Sequence, residues 1–412
     1  MTRPEAGHGV ALARWAVLAL FFASGLAFAT WASRLVMVRG LLGVSPGAMG
    51  VILLLGSIGS IAAMPLAGSA VQVFGIRRTL GASGGLALAA LMAAGWCAQA
   101  GIAAGTAATL VGLCMGIGVW DVAMNLGGAD VERALGRSVM PHFHAAFSLG
   151  TVAAAGIGVL MAGLGVPLLA HFGIAALASG ALLVWGTANV LVDAAPNPRA
   201  RPGGADPAGP RPSRLRAALK TWSEARTLLI GLTVLAMTLA EGAATDWLAS
   251  GLVQDFVADE SVGILGLGVF LTAMTAMRVV GTRLIDRFGR AAALRLSALL
   301  AIAGLAAYGL APWLPLAVAG AAVWGMGSAL GFPIGMSAAG EDSATAAQRT
   351  SVVSTIGYGA FLMGPPLLGM LADSVGFRGA LLVLVAPVTL ALALSGVMGP
   401  RVPPRLPPAS LA

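Results

Sequence analysis

The sequence predicts an all-α polytopic membrane protein of twelve transmembrane helices, folded as two six-helix bundles related by a pseudo-two-fold repeat. Three observations predict it. The 412 residues are 58% hydrophobic and only 10% charged, with a mean hydropathy of +0.91, whereas a soluble chain of this size needs far more polar residues to cover its surface. Apolar runs recur along the whole chain, each near the roughly 20 residues that carry a helix across about 30 Å of hydrocarbon. The second half of the chain echoes the first.

Taken in order, the runs cover 12–33, 46–70, 79–99, 103–127, 145–166, 168–192, 227–250, 262–284, 291–311, 315–338, 350–372 and 379–399. The first follows Arg3 and Arg14 and contains AFATWA, a pattern similar to a signal-peptidase site; with so many spans behind it, it reads as helix 1. With the N-terminus in the cytoplasm, all 24 Lys and Arg residues except Arg34, Arg39 and Arg378 fall on the inner side, Arg278 among them. That asymmetry places both termini inside. Glycine is abundant, at 58 residues, and small residues let membrane helices approach closely.

Between spans 6 and 7, residues 193–225 are rich in Pro, Arg, Gly and Ala and have no periodicity, which reads as a basic cytoplasmic linker. It divides the chain into bundles over 1–192 and 226–412. An offset of 216 places Trp31 on Trp247, Ser45 on Ser261, Gly47 on Gly263 and Gly50 on Gly266, and an offset of 214 places Gln72 and Gly75 on Asp286 and Gly289. Parallel repeats of this kind occur in transporters whose two bundles move about a central site.

Several function classes drop out. The net charge of +8 sits between apolar runs and forms no basic face for nucleic acid. Cys97 and Cys114 lie in apolar runs, so no disulfide framework is implied. His142 and His144 lack a third ligand, and no metal or other cofactor is expected. There is no phosphate-binding G-x-x-x-x-G-K-[ST] motif, and the single lysine, Lys220, sits in the linker, against an ATP-driven pump. No nucleophile–base set suggests an enzyme.

The loop residues carry a resemblance. Asp286-Arg287-Phe288-Gly289-Arg290 is similar to the D-R-x-G-R part of the loop motif of the major facilitator superfamily. The first-half loop keeps Gly68, Gly75, Arg77 and Arg78 but has Gln72 in place of the aspartate, and Gly369 to Gly376 repeats the G-x-x-x-D-x-x-G spacing around Asp373. Asp121-Val-Ala-Met-Asn125, Val131-Glu-Arg133, the run from Met140 to Gly150, and Ala240-Glu-Gly-Ala-Ala resemble the YbjJ-like branch of bacterial inner-membrane members. The resemblance implies a secondary transporter with a cavity lined by spans 1, 4, 7 and 10. It also implies gating residues at Arg77, Arg78, Asp286, Arg287, Arg290 and Asp373, and a bacterial inner-membrane location. Features of drug exporters are missing: Gly112 stands where an arginine would precede Gly116-Ile-Gly118, and span 5 has no proline.

The site residues follow from charge inside hydrocarbon, which is costly and usually marks a pathway. Thr238 to Gly251, TLAEGAATDWLASG, holds Glu241 and Asp246. Glu241 lies at mid-span and is the first choice for a proton site, against a structural carboxylate bonded to a neighbouring helix. Five residues on, Asp246 is turned about 140° away at roughly 100° per residue. It stands with Glu241 as a proton-coupling candidate, either as a gate residue facing Arg34 or, on the plainer reading, as an exposed helix-end charge. Asp121 either binds a cationic or hydroxyl-bearing solute or pairs with Arg77 or Arg78, and Asn125 shares its face. Trp31, Trp120, Trp247 and Trp324 either stack on a solute ring or, for Trp31 and Trp247, sit at the membrane interface; Trp120 and Trp324 are the preferred solute contacts. Gly331-Phe332-Pro333 predicts a kink in span 10. The expected function is alternating-access transport of a small polar organic solute by a monomer, driven by protons, with efflux of amphipathic compounds as the alternative and a non-transporting receptor or scaffold as a minor one.

Overall fold

The computed structural model describes residues 3–136, 139–191, 221–342 and 345–399. The linker expected over 193–225 lies outside the described residues up to 220. The first half contains α1 (Arg3–Ser33), α2 (Leu35–Leu42), α3 (Pro46–Phe74), α4 (Ile76–Gln99), α5 (Ala103–Leu135), α6 (Met140–Gly163) and α7 (Leu168–Asn189). In the second half, α8 (Ala225–Ala243) runs through a π-helical turn (Ala244–Leu248) into α9 (Ala249–Asp255). It is followed by α10 (Glu260–Gly309), α11 (Leu314–Ser328), α12 (Gly331–Ala339), α13 (Ala346–Leu382) and α14 (Val385–Leu394). No strand occurs among the described residues.

Among the described residues, ten rods are long and apolar enough to cross a membrane, and two of them, of 50 and 51 residues, are long enough to cross twice. Those two reverse at Gly289 and Gly376, so the described residues make twelve crossings. The even number puts the start of α1 and the end of α14 on one side, the near side. The opposite face is the far side.

The reversals show why glycine stands in the loop motifs. Gly75, Gly289 and Gly376 have φ of 80°, 80° and 73° with ψ of 158°, 163° and 166°. Positive φ with extended ψ is open essentially to glycine alone. Gly75 and Gly289 therefore make the same turn in the two halves. The N-caps before α3 and α10 match as well: Ser45 at φ −67°, ψ 160° and Asp259 at φ −66°, ψ 155°. Both pairs are 214 residues apart, so the S-x-G-x-x-G alignment at 216 is two residues out of register with the helix starts. The tryptophans do keep their equivalence. Trp31 packs on Phe172 and Trp247 on Phe377, with ring centroids 6.3 and 5.5 Å apart, and each phenylalanine lies early in the sixth span of its bundle.

The two bundles meet along the far-side halves of α3 with α13 and of α6 with α10. Asp373 on α13 accepts the backbone N–H of Gly47 at 2.9 Å and the Ser45 hydroxyl at 3.1 Å. Arg34 pairs with Glu260 at 3.4 Å, and the Arg39 guanidinium lies 5.6 Å from the centre of the Phe377 ring. Burial pulls the Arg39 pKa below its ordinary value, and the Asp373 charge opposes that shift. On the near side, Arg77, Arg78, Asp286 and Arg287 are exposed, and none forms an ion pair among the described residues. Among the described residues, the bundles are latched to one another at the far side and by no ion pair at the near side.

Candidate functional site

Between the bundles lies a cavity of about 350 Å³, lined by residues of spans 1, 2, 4, 5, 7 and 11. Its polar wall consists of Ser57, Ser60, Glu241, Thr245, Asp246 and Tyr358, and its aromatic wall adds Phe28, Trp31, Phe147 and Phe361. This size and mixture suit a small organic molecule: an apolar surround with a few fixed polar groups.

Span 7 brings both carboxylates to the cavity, contrary to the regular-helix expectation of opposed faces. The reason is the π turn over Ala244–Leu248. Bonding from i to i+5 widens the turn by one residue, so residues five apart come onto one face where an α-helix would align residues four apart. Glu241 and Asp246 have that spacing. Such π turns recur at functional sites, and here the turn aligns two carboxylates.

The two acids differ in what they meet. Arg278 of α10 donates to the Glu241 carboxylate at 2.9 Å, and the two side chains are 34% and 21% exposed. Arg278 Nε also reaches the carbonyl of Ala329 at 3.5 Å. That carbonyl is free because Pro333, four residues on, has no N–H to offer it. The helix accordingly breaks at Ala329 and Leu330, between α11 and α12. A proline in span 10 thus helps hold the cation that neutralises Glu241. Arg278, counted from sequence among the inner-side charges, is an intramembrane ion-pair residue. Asp246 has no hydrogen bond or ion pair among the described residues.

Asp246 does not face Arg34. That arginine, 1% exposed, is taken up by Glu260, the Val166 carbonyl at 3.1 Å and the Met37 sulfur. Asp121 accepts from Asn125 at 3.3 Å. It pairs with neither Arg77, which donates to the Val190 carbonyl, nor Arg78. Among the tryptophans, Trp31 lines the cavity. Trp120, Trp247 and Trp324 are fully buried and line no part of it. Trp324 packs inside the second bundle against Phe270 and Tyr308, at 5.4 and 6.2 Å. Trp120 and Trp324, the preferred solute contacts, thus lie in the core in this structure, and span 10 contributes no residue to the lining. Near the loop motif, Arg290 bonds Glu341 at 2.7 Å within its own bundle, while Asp286 stays exposed. His142 and His144 join no group of three or more metal-ligating side chains among the described residues.

Comparison with known proteins adds the family. The family model described as the Major Facilitator Superfamily matches residues 10–358 and 248–411. The chain belongs to the Major Facilitator Superfamily. It is 32% identical over 382 residues to the uncharacterized transporter y4wD of Sinorhizobium fredii, covering 90% of this chain and 97% of the relative. It is 30% identical over 363 residues to an MFS-type transporter of Yersinia pestis, covering 86% and 87%. Among solved structures it superposes on the nucleoside transporter NupG with a TM-score of 0.74 at 13% identity, covering 93% of this chain and 98% of that one. It matches the D-xylose-proton symporter with a TM-score of 0.70, also at 13% identity, covering 94% and 98%. At such identities the likeness is one of fold. This superfamily member is a multi-pass membrane transporter and not an enzyme.

Proposed function

We propose that this transporter works by alternating access with proton coupling, moving a small organic solute through the cavity between its bundles. The near side is read as the cytoplasm, in a bacterial inner membrane, with bundles over 1–192 and 226–412. The observation that carries the reading is a cavity between the bundles with one neutralised carboxylate and one that is unpaired among the described residues, beneath a bundle interface latched at the far side. Buried charge of this kind marks a pathway, and discrete latches at the two faces supply the bistable element that switching requires.

Sequence reasoning prefers Glu241 as the proton site. Its ion pair with Arg278 favours a different division of roles: Asp246 takes up and releases the proton, and Glu241 with Arg278 ties spans 7 and 8 together. Asp373, with Ser45 and Gly47, forms the far-side gate. Arg77, Arg78, Asp286 and Arg287 form the near-side gate that closes in the opposite state.

The test needs no known solute. Spin labels are placed at Val73 and Phe288, exposed near-side positions of the two bundles, in a chain with Cys97 and Cys114 replaced by Ala, in lipid nanodiscs. The expected result is two label distances whose populations shift between mildly acidic and mildly alkaline pH, with the shift lost in Asp246→Asn. A single distance, unchanged by pH, overturns the reading.

A further inference from the structure

We infer that the solute is an organic cation with an aromatic or otherwise apolar body, its positive charge held by Asp246 and its body by the aromatic wall. The inference rests on the transport reading above and adds the chemistry of the cargo.

Charge comes first. The cavity lining contains no Lys, Arg or His, and its two ionisable acids are Glu241 and Asp246. Arg278 neutralises the first at 2.9 Å. The second is left as the one uncompensated charge of the lining. The other titratable groups of the lining are Cys114 from α5 and Tyr358 from α13, neither of them a cation. A bound anion would meet a carboxylate with nothing to offset the repulsion, whereas a cation would supply the missing partner.

The wall surface points the same way. Phe28, Trp31, Phe147, Tyr358 and Phe361 line the space. Ring faces carry negative charge density and attract ammonium groups, most of all quaternary or substituted ones. A polyhydroxylated solute fits poorly. No Asn or Gln lines the cavity, and outside the acids the side-chain polar groups of the lining are the hydroxyls of Ser57, Ser60, Thr245 and Tyr358, the Trp31 indole N–H and the Cys114 thiol. A sugar buried there would leave hydroxyls without partners, each at a cost. The expected polar, sugar-like solute therefore gives way to a smaller polar demand, one positive charge on an apolar frame. About 350 Å³ accommodates a fused bicyclic amine.

The experiment varies charge on one frame. Purified full-length protein is melted with increasing tryptamine (cation), tryptophol (neutral) and indole-3-acetate (anion), and with benzyltrimethylammonium as a second cation. A ligand of the folded state raises Tm with concentration by mass action. The expected result is a rise with both cations and none with tryptophol or indole-3-acetate. Asp246→Asn is expected to lose the rise, and Trp31→Ala to reduce it. An equal rise with the neutral or anionic compound, no rise with either cation, or a full rise in Asp246→Asn each overturns the assignment. If Asp246→Asn does not fold, the wild-type charge series decides alone. A failed charge series with intact pH-dependent label distances overturns the cargo class only, whereas static labels overturn transport itself.

Discussion

Asp373 of the second bundle accepts the Gly47 amide of the first at 2.9 Å, where Gly47 is the second residue of α3. A carboxylate at a helix N-terminus meets free N–H groups and the positive end of the helix dipole. With the Ser45 hydroxyl also donating to it at 3.1 Å, this one side chain joins spans 2 and 11. Hydrogen bonds to charged groups contribute about 1.5–3 kcal/mol. Asp373→Asn keeps the shape and loses the charge. The expected outcome is a weakening of far-side closure by about 1–2 kcal/mol, roughly a five- to thirty-fold shift in population. Spin labels at Leu41 and Val257, both exposed on the far side, should report it as a longer distance. An unchanged distance distribution would show that the latch holds nothing.

The same closure depends on bare backbone at Gly50. A Cβ there would lie 2.5 Å from the Pro365 carbonyl oxygen and 2.7 Å from Pro366 Cα, both of them backbone atoms that cannot swing aside. Gly50→Val should act as a wedge, folding normally within its own bundle but depleting the far-side-closed state. In the near-side pair at Val73 and Phe288 the expected signature is loss of the longer distance with little change in Tm. Overpacking of an ordinary core would instead lower Tm, by about 1–3 kcal/mol of stability.

Glu241 and Arg278 should behave as a unit. Removing one partner leaves the other charged and half-buried in the membrane interior, which costs about 3–5 kcal/mol for a fully buried pair. Both side chains keep some exposure, 21% and 34%, so about 1–3 kcal/mol is expected for Glu241→Gln or Arg278→Gln alone. The double variant should lose clearly less than the sum, by a coupling of at least about 0.5 kcal/mol in thermal melts. Additive losses would mean that the pair is not energetically coupled.

Much of the fold was legible because hydrocarbon leaves few choices: apolar runs of the right length must be helices, and glycine in the loop motifs marks the reversals at Gly75 and Gly289. The site was legible only in part. Glu241 and Asp246 stand out as charges in an apolar run, but their common orientation depends on the π turn, and hydrophobic periodicity does not signal an i to i+5 bond. Arg278 was hidden by the assumption that arginines near span ends set topology. Its signal was present, since it falls inside the predicted span over 262–284, as was the carbonyl that Pro333 leaves free. The aromatic wall was missed because Phe28, Phe147 and Phe361 are indistinguishable by type from lipid-facing or core phenylalanines. Trp120 and Trp324 are ambiguous for the same reason.

That last ambiguity can be tested directly, because cavity and core roles predict opposite responses at two tryptophans. Trp324 is fully buried among Phe270 and Tyr308, and its ring fills space inside one bundle. Trp324→Ala should lower stability by about 3–5 kcal/mol, as truncation of a large buried aromatic does. Trp324→Phe should recover most of that loss and leave the pH-dependent label distances at their wild-type values. Trp31, 5% exposed, has Phe172 on one side and the cavity on the other. Its truncation removes fewer core contacts, so Trp31→Ala should cost less stability, about 1–3 kcal/mol. In return it should enlarge the cavity at the aromatic wall. Comparing Tm and label distances across the three variants separates the roles, and a Trp324→Phe chain with normal Tm but altered switching would return Trp324 to the transport pathway.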